Sequence, residues 1–229
     1  MTDEAADDQT DEAAGISDSR DPNRIREVYD EIATHFAKTR VYPWPEVEAF
    51  LDDRSDVAVG LDIGCGNGRH SALLAEIAEM VLALDVSREL LLEASERMTR
   101  DGWDAELLCG DAVALPIERN SVDLAVYVAT LHHLPDREHR IRSLSEIARV
   151  LKPGGNALVS AWSTAHDRFE DSDEGFDTTI DWTLPGGETV ERFYHIYAPS
   201  EFEADLDASD LSVVETYVSS GNCYAEVRC

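Results

Sequence analysis

Lysine is almost absent from this sequence. Lys38 and Lys152 are the only lysines among 19 lysine and arginine residues, against 48 acidic residues, and the formal net charge is −29. In 1 M salt the screening length falls to about 3 Å, so repulsion between surface carboxylates costs little there. The composition therefore predicts a halophilic protein, and an ordinary acidic protein is the alternative.

Long apolar segments are also missing. No run approaches the ~20 residues that a membrane helix needs. The first residues lack the basic start and the apolar stretch of a secretory signal. The sequence predicts no membrane contact and a cytoplasmic location.

Cysteine is sparse and shows no functional spacing. The four cysteines form neither a C-x-x-C pair nor a Cys/His pattern typical of metal ligands. We expect Cys65, Cys109 and Cys223 to be small buried apolar residues. Neither a metal site nor a disulfide framework is expected.

The N-terminal segment is acidic and poor in apolar residues. Residues 1–21 are therefore expected to form a disordered acidic tail, followed by one folded domain over 22–229. This domain begins with an apolar stripe at helical spacing, made by Ile25, Val28, Tyr29, Ile32 and Phe36. We expect an N-terminal helical lid over residues 22–56.

Strand and helix patterns then alternate. Short apolar strands at 57–63, 81–85, 106–109, 122–128 and 157–162 are separated by helical segments at 69–78, 87–98 and 136–151. This alternation predicts βαβ units and a parallel sheet. Pro153-Gly154-Gly155 is expected to turn the chain before the last of these strands.

The rest of the chain shows weaker patterns. Residues 163–192 are polar and are expected to be irregular, within a substrate-side insert over 163–198. A helix at 199–206 and strands at 212–218 and 224–228 are expected to follow. The short connection between the two strands predicts a C-terminal hairpin.

A glycine-rich loop directly follows the first strand. Gly64, Gly66 and Gly68 let the backbone turn sharply and approach a ligand. Arg69 stands where a dinucleotide loop needs a small residue, which argues against pyrophosphate binding. Asp85 closes the next strand, and its carboxylate can accept hydrogen bonds from two ribose hydroxyls. The alternative is a structural turn beside an aspartate that only caps a helix.

With three further segments, this loop resembles that of the class I S-adenosylmethionine-dependent methyltransferases. The segments are Gly110-Asp111-Ala112, residues 121–126 and residues 151–155. The resemblance implies a Rossmann-like α/β fold, with a seven-stranded, mostly parallel sheet, helices on both faces and a C-terminal antiparallel hairpin. It also implies S-adenosylmethionine as cofactor.

The resemblance also implies the cofactor contacts, within a core over residues 57–162. Asp85 is expected to hold ribose, and Asp111 and Ala112 adenine, while the glycine loop faces the methionine part. The implied cofactor-binding residues are Tyr29, Asp62, Gly64, Gly66, Asn67, Gly68, Asp85, Val86, Asp111, Ala112 and Val128.

Segments outside the core resemble the eukaryotic wobble-uridine tRNA carboxymethyl methyltransferases. They are residues 28–33, His35-Phe36, Thr39-Arg40, Pro43-Trp44-Pro45, Leu131-His132-His133, residues 181–185 and residues 192–197. The resemblance implies that the chain esterifies the carboxylate of 5-carboxymethyluridine in the tRNA anticodon. The insert is shorter here than in that family, and the acidic tail is foreign to it. The alternatives are a small-molecule methyltransferase, for example on a quinone precursor, and a cofactor-binding regulator without turnover.

The expected chemistry needs positioning more than a general base, because a carboxylate is already ionised at neutral pH. An arginine can clamp it with two hydrogen bonds, and an aromatic ring can stack the uracil. The candidate catalytic residues are Arg40, His133, Trp162, Arg192, Tyr194 and His195. By resemblance, Tyr29 and Arg40 contact the methionine carboxylate rather than the substrate. Alternatively, one of the adjacent histidines caps a helix, Trp162 belongs to the core, Arg192 is a surface cation, and Tyr194 and His195 only pack the lid.

A net charge of −29 opposes tRNA binding, which normally rests on phosphate neutralisation. A tRNA partner therefore requires a local arginine patch, for which Arg137, Arg140 and Arg142 are candidates, or help from another protein. The family resemblance implies a heterodimer with a small zinc-binding methyltransferase activator subunit. That subunit would pair with the sheet edge at Glu106–Cys109, although loops could cover this edge instead.

Overall fold

The computed structural model describes residues 20–169 and 173–229. Its helices are α1 (Pro22–Thr39), α2 (Pro45–Asp52), α3 (Ser71–Ile77), α4 (Arg88–Asp101), α5 (Arg137–Val150) and α6 (Pro199–Asp207), with a 3₁₀ helix at Leu131–His133. Its strands are β1 (Val57–Ile63), β2 (Ala78–Asp85), β3 (Glu106–Cys109), β4 (Val122–Tyr127), β5 (Leu151–Trp162), β6 (Phe176–Thr183), β7 (Thr189–Ile196), β8 (Ser212–Ser219) and β9 (Asn222–Arg228).

Residues 1–19 of the predicted acidic tail lie outside the described residues. Its last two residues belong to the folded part. Arg20 forms an ion pair with Asp177, and the side chain of Asp21 accepts a hydrogen bond from the backbone N–H of Asn23 at the start of α1. The folded domain therefore begins at residue 20 at the latest.

Seven strands form one sheet in the order β3-β2-β1-β4-β5-β9-β8. Strands β1 to β5 are parallel to their neighbours, whereas β9 runs antiparallel to β5 and β8. This sheet confirms the predicted α/β fold with its C-terminal hairpin. Because the chain proceeds outward in opposite directions from β1 and β4, a crevice opens at the carboxyl ends of these two strands.

The two faces of the sheet bury separate apolar cores. Tyr127 of β4 packs in the core that includes α5 and α6, whereas its neighbour Val126 packs in the core that includes α2 and α3. Successive side chains on a strand point to opposite faces, so both faces of β4 must be covered. Helices accordingly lie on both faces, as predicted.

Local capping explains where α4 and α5 begin and end. The Ser87 hydroxyl oxygen accepts the N–H of Leu90, and Asp136 accepts the N–H of His139. Helix α4 stops at Gly102, whose φ of 77° is the left-handed conformation that favours glycine. The predicted cap at Ser87 is confirmed, and the predicted element ends differ from the observed ones by a few residues.

The prediction that residues 163–192 are irregular is wrong, because an antiparallel hairpin begins within this segment. Strands β6 and β7 pair along their whole length as a separate two-stranded sheet. The alternation typical of a strand was hard to see because only Ile180 and Trp182 of β6 are buried, among threonines and aspartates.

Two smaller expectations also need correction. Pro153-Gly154-Gly155 lies within β5 as an irregularity in its pairing with β4, rather than in a turn before a new strand. Cys109 is exposed, unlike the buried Cys65 and Cys223. It is the last residue of β3, which has β2 as its only neighbour in the described sheet.

Helix α1 and the β6–β7 hairpin pack against each other, and we call this pair the cap. Val28 and Ile32 of α1 share an apolar cluster with Trp182 of β6 and Val190 of β7. The cap lies over the crevice at the strand ends. Among the described residues, no helix has both the length and the apolar character needed to cross a membrane.

Candidate active site

A cavity of about 580 Å³ lies between the cap and the carboxyl ends of the parallel strands. Small-ligand sites typically measure ~300–1,000 Å³, so the cavity has room for a cofactor and part of a substrate. Its walls come from the loops that follow β1, β2, β3 and β4, together with side chains of the cap. The fold thus brings residues that are distant in sequence to one place.

The glycine loop forms the floor of this cavity. Gly64 has a φ of +69°, and a Cβ at this position would collide with the side chain of Thr130. The backbone N–H groups of Gly64 and Cys65 both donate to the carbonyl oxygen of Leu84, which ties the loop to β2. Only glycine permits this turn and this close approach.

Each carboxylate oxygen of Asp85 accepts one backbone hydrogen bond. Oδ2 accepts the N–H of Gly66 at 2.8 Å, and Oδ1 accepts the N–H of Ser87 at 2.9 Å. Burial raises the pKa of Asp85 to about 6, and the backbone hydrogen bonds limit the rise. Each oxygen keeps a lone pair for a further donor. This arrangement fits the two ribose hydroxyls of the predicted cofactor.

The loop after β3 supplies the next part of the wall. Oδ1 of Asp111 accepts the N–H of Val113, which fixes the turn beside Ala112. These three residues line the cavity together with Val86 and Leu90. A mostly apolar slot with one carboxylate at its edge suits an adenine ring. The residues present therefore fit S-adenosylmethionine.

Four predicted cofactor residues lie behind this wall instead of in it. Asp62 accepts the hydroxyl of Ser71 at 2.6 Å, and burial raises its pKa to about 7. Asn67 donates to the carbonyl oxygen of Arg40 at 3.0 Å, which joins the loop to the end of α1. Gly68 and Val128 are likewise not among the residues that line the cavity in the described part of the chain. They support the loops that do.

Besides the exposed Arg168, three guanidinium groups line the cavity without a carboxylate partner among the described residues. The side chains of Arg40, Arg69 and Arg192 form no ion pair with any Asp or Glu in residues 20–169 and 173–229. Each lies over an aromatic ring instead. Arg40 and Arg192 both lie over Trp182, at 5.3 and 4.7 Å, and Arg69 lies over Trp44 at 5.2 Å. A chain with net charge −29 therefore surrounds this cavity with unpaired positive charge, which an anionic ligand would balance.

Arg192 is the most enclosed of the three, with 8% of its surface exposed. Its Nε is buried and has no hydrogen-bond partner among the described residues. The guanidinium carbon also lies 5.1 Å from the ring centre of Tyr194. A buried cation in this state is costly unless an anion reaches it.

His133 uses both ring nitrogens within the protein. Nδ1 lies 2.9 Å from the carbonyl oxygen of Phe193, and Nε2 lies 2.8 Å from the hydroxyl of Tyr29. A carbonyl oxygen only accepts, so Nδ1 carries the proton and Tyr29 donates to Nε2. Burial lowers the pKa of His133 to about 3. The ring is therefore neutral and has no free nitrogen for a substrate.

Comparison with known proteins agrees with this geometry. The family model described as a methyltransferase domain matches residues 61–159, which include the glycine loop, Asp85 and Asp111. A protein of Encephalitozoon cuniculi that is assigned as a methyltransferase is 32% identical over 179 residues, which cover 76% of this chain and 80% of that protein. The chain belongs to the class I methyltransferases that use S-adenosylmethionine. The predicted enzyme class and cofactor are confirmed.

Two relatives of this methyltransferase have a more specific name, tRNA (carboxymethyluridine(34)-5-O)-methyltransferase. The one from Arabidopsis thaliana is 36% identical over 171 residues, which cover 74% of this chain and 38% of the plant protein. The one from Schizosaccharomyces pombe is 28% identical over 216 residues, which cover 83% of this chain and 90% of that protein. The chain spans 20% of the length of two mammalian relatives.

Solved structures show the same fold. An S-adenosylmethionine-dependent methyltransferase from Clostridium acetobutylicum is 18% identical to this methyltransferase and has a TM-score of 0.65. The match covers 90% of this chain and 98% of that one.

The structure places His195 outside the cavity wall of this methyltransferase. Its ring lies between Asp177, 2.7 Å from Nδ1, and Glu201, 2.9 Å from Nε2. Residues 192 and 194 of β7 point into the cavity, so 193 and 195 face the other side of the strand. The predicted catalytic role of His195 is not supported, and the residue joins the hairpin to α6.

The predicted arginine patch is also absent from the methyltransferase surface. Arg137 pairs with Asp205, and Arg140 is buried beside Glu201 and Asp205. Of the three predicted patch residues, only Arg142 is exposed and has no ion pair within the described chain. Arg137 and Arg140 therefore join α5 to α6, and Arg142 alone does not make a patch of free cations.

The remaining predicted residues, Arg40, Trp162, Arg192 and Tyr194, do come together on the cavity wall. Sequence reasoning missed others that the methyltransferase places beside them: Trp44, Arg69, Thr130 and Trp182. It left open which of the adjacent His132 and His133 faces the substrate. The available signal for Arg69 was its position directly after the glycine loop. For Trp182 it was the Trp-x-Leu-Pro segment, which carried the family resemblance without a role for the ring.

Proposed function

We propose that this methyltransferase esterifies the carboxylate of 5-carboxymethyluridine at the wobble position of tRNA. The observation that carries the proposal is Arg192, a buried guanidinium that faces the cavity without a carboxylate partner in the described chain. The names of the plant and yeast relatives support the same substrate. The yeast relative matters most here, because this chain spans 90% of its length.

The proposed reaction needs no residue that removes a proton. When bound, S-adenosylmethionine supplies a methyl group on a positively charged sulfur. Arg192 holds the substrate carboxylate, which is ionised above pH ~5, and presents one oxygen to that methyl group. The neutral His133 and the hydroxyl of Tyr29 keep the wall rigid.

We assign Arg40 and Arg69, the other two of the three enclosed cations, to the cofactor end. Arg40 and Arg69 lie nearest to the glycine loop, since Asn67 holds the backbone of Arg40 and residue 69 follows Gly68. Together they would balance the methionine carboxylate. Arg192 is then left for the carboxylate of the substrate.

Aromatic rings at the substrate end suit a flat base. Trp162 and Tyr194 contact each other edge to face at 5.2 Å, and Trp182 lies across from them under Arg192. Base stacking on such rings contributes about 1–3 kcal/mol and needs no phosphate contact. Recognition through stacking suits a protein with so few free cations.

The decisive test uses tRNA that carries 5-carboxymethyluridine, with the methyl ester measured by mass spectrometry of the nucleosides. We expect Arg192→Met to lower the transfer rate by about 10- to 100-fold, because a hydrogen bond to a charged group contributes about 1.5–3 kcal/mol. The transfer rate of Arg192→Lys should lie between the rates of the wild type and Arg192→Met, since lysine keeps the charge but not the two-pronged geometry.

The matched control is Arg54→Met, since Arg54 also lies over a ring, that of Phe50, but pairs with Glu226 far from the cavity. It should keep the transfer rate and lose some stability. Arg192→Met should instead keep or gain stability, because an unpaired buried charge is removed. Methylation of a small metabolite but not of this tRNA would overturn the proposed substrate.

We propose further that a small zinc-binding activator subunit covers β3. This strand forms one edge of the seven-stranded sheet, and its Leu107 and Leu108 are only half-buried. An apolar edge strand tends to pair with another chain. Co-expression with such a subunit should raise soluble yield and activity several-fold. A lone chain that is stable, monomeric and fully active would contradict this partner.

We infer that the enzyme works in a cytoplasm of high salt. The net charge of −29 and the two lysines support this part of the proposal. High salt weakens the repulsion between an acidic protein and tRNA phosphates.

A further inference from the structure

His132 lies in the cavity wall with one ring nitrogen engaged and the other without a partner. Its Nδ1 accepts the backbone N–H of Trp162 at 2.9 Å. In the part of the chain that the structure describes, Nε2 makes no hydrogen bond, although only 3% of the residue is exposed. Protein atoms do not fully enclose Nε2, and His132 lines the cavity. The cavity is therefore the space that Nε2 faces.

The contact with Trp162 also determines where the ring proton is. A nitrogen that accepts a hydrogen bond carries no proton, so the proton of neutral His132 is on Nε2. Burial lowers the pKa of His132 well below its usual value, and His133, Arg192 and His195 add to this effect. The ring of Tyr194 lies 5.0 Å away and limits its rotation. His132 is thus a neutral donor with a fixed direction.

The adjacent His133 cannot play this part, because Phe193 and Tyr29 occupy its two nitrogens. We propose that His132, not His133, contacts the substrate and donates its Nε2–H to an oxygen of the carboxylate that Arg192 holds. This inference rests on the proposed function. It decides between the two adjacent histidines, which the sequence alone left open.

The chemistry of the transfer favours a neutral donor at this place. A bond forms between a carboxylate oxygen and the methyl carbon, and the carbon–sulfur bond breaks with its electron pair left on sulfur. No proton moves in this step, so His132 can serve it without taking up a proton. A second cation would draw more electron density from the attacking carboxylate, whereas a neutral N–H orients it with a weaker pull.

Two substitutions separate the donor from the structural contact. His132→Asn can keep an amide oxygen near the Nδ1 position for Trp162, but it is too short to reach into the cavity. His132→Gln can place an amide N–H near the Nε2 position. We expect the asparagine variant to transfer methyl groups about 10- to 100-fold more slowly than the wild type, with unchanged affinity for S-adenosylhomocysteine. The glutamine variant should recover part of the rate.

Other outcomes would overturn the inference. An asparagine variant with the wild-type rate would show that His132 does not touch the substrate. The glutamine variant could instead be as slow as the asparagine variant, and the wild-type rate could decrease as the pH falls through a pKa between 5 and 9. Together these two results would indicate that His132 acts as a base and not as a donor.

A second readout does not depend on turnover. In ¹⁵N-edited NMR of the wild type with S-adenosylhomocysteine, the Nε2–H resonance of His132 should shift when 5-carboxymethyluridine nucleoside is added. The shift should shrink in Arg192→Met. No shift in the wild type refutes the role of His132. A wild type that shows this shift but fails to methylate the tRNA refutes the proposed function and leaves the His132 contact supported.

Discussion

Asp85 illustrates how single residues prepare this site for its cofactor. Its two carboxylate oxygens accept the N–H groups of Gly66 and Ser87 and keep lone pairs for ribose. We predict that Asp85→Asn weakens S-adenosylhomocysteine binding by about 10- to 100-fold, because a charged acceptor is replaced by a neutral amide with a single oxygen. Calorimetry measures this affinity. Asp101→Asn, an exposed carboxylate at the end of α4, is the control, and equal affinities in the two variants would contradict the ribose contact.

The pKa of Asp85 adds a second expectation for the same contact. Burial raises that pKa to about 6. As the pH falls through this value the carboxylate takes up a proton and one of its oxygens stops accepting. Cofactor affinity of the wild type should therefore decrease below pH 6, and the decrease should be absent in Asp85→Asn.

Residues close to a strand end could be predicted from sequence, but their partners could not. Gly64, Asp85 and Asp111 lie at the carboxyl ends of successive strands, and parallel strands bring these ends together. The choice between His132 and His133 depends instead on Trp162, Phe193 and Tyr29, of which the nearest is 30 residues away along the chain. No local pattern reports which nitrogen such a distant group occupies.

At the scale of elements, the βαβ core was predictable and the hairpin was not. Strands buried on both faces contain continuous apolar runs, as at 124–127 in β4, and such runs stand out in the sequence. Strand β6 is exposed on one side, and it forms mainly because β7 pairs with it and α1 packs on it. Its order comes from tertiary contacts that single-sequence periodicity does not show.

The hairpin is also joined to α6 by charge, through His195 between Asp177 and Glu201. Burial opposes the charge of His195, but hydrogen bonds to the two carboxylates outweigh it and raise its pKa. Burial would raise the pKa values of Asp177 and Glu201, yet their bonds to His195 lower them. The stabilisation from His195 is complete below its unfolded pKa of about 6.5 and is lost as the pH rises through the higher folded value. The stabilisation from the carboxylates is present above about pH 4.3 and is lost as the pH falls through their lower folded values.

We predict that His195→Gln lowers the free energy of unfolding by about 1–3 kcal/mol at pH 6, since it removes the charged donor that joins two half-buried carboxylates. The difference from the wild type should shrink as the pH rises, because the wild type loses its own stabilisation there. Denaturant unfolding at several pH values measures both effects. His139→Gln removes an exposed histidine paired with Asp136 and should cost less than about 1 kcal/mol. A His195 variant with the same small, pH-independent cost would contradict the link between hairpin and α6.

For the molecule as a whole, charge is distributed in two opposite ways. The chain carries a net −29, yet the cavity wall holds Arg40, Arg69 and Arg192 without carboxylate partners in the described ranges. Acidic residues cover the surface, where salt screens their repulsion. The unpaired cations are enclosed, where salt screens them much less. High salt can therefore relieve the surface without disabling the proposed anion site.

This distribution predicts that salt stabilises the fold. Between 0.1 and 1 M KCl the screening length falls from about 10 to 3 Å, which removes most of the repulsion between surface carboxylates. The unfolding temperature should rise by several degrees over this range, measured by calorimetry at pH 7. A variant with the exposed Glu48, Asp52 and Glu96 changed to the corresponding amides should start higher at 0.1 M and gain less, because it has less repulsion to relieve. If both proteins gained equally, general salting-out and not charge screening would account for the effect, and the acidic surface would no longer support adaptation to high salt.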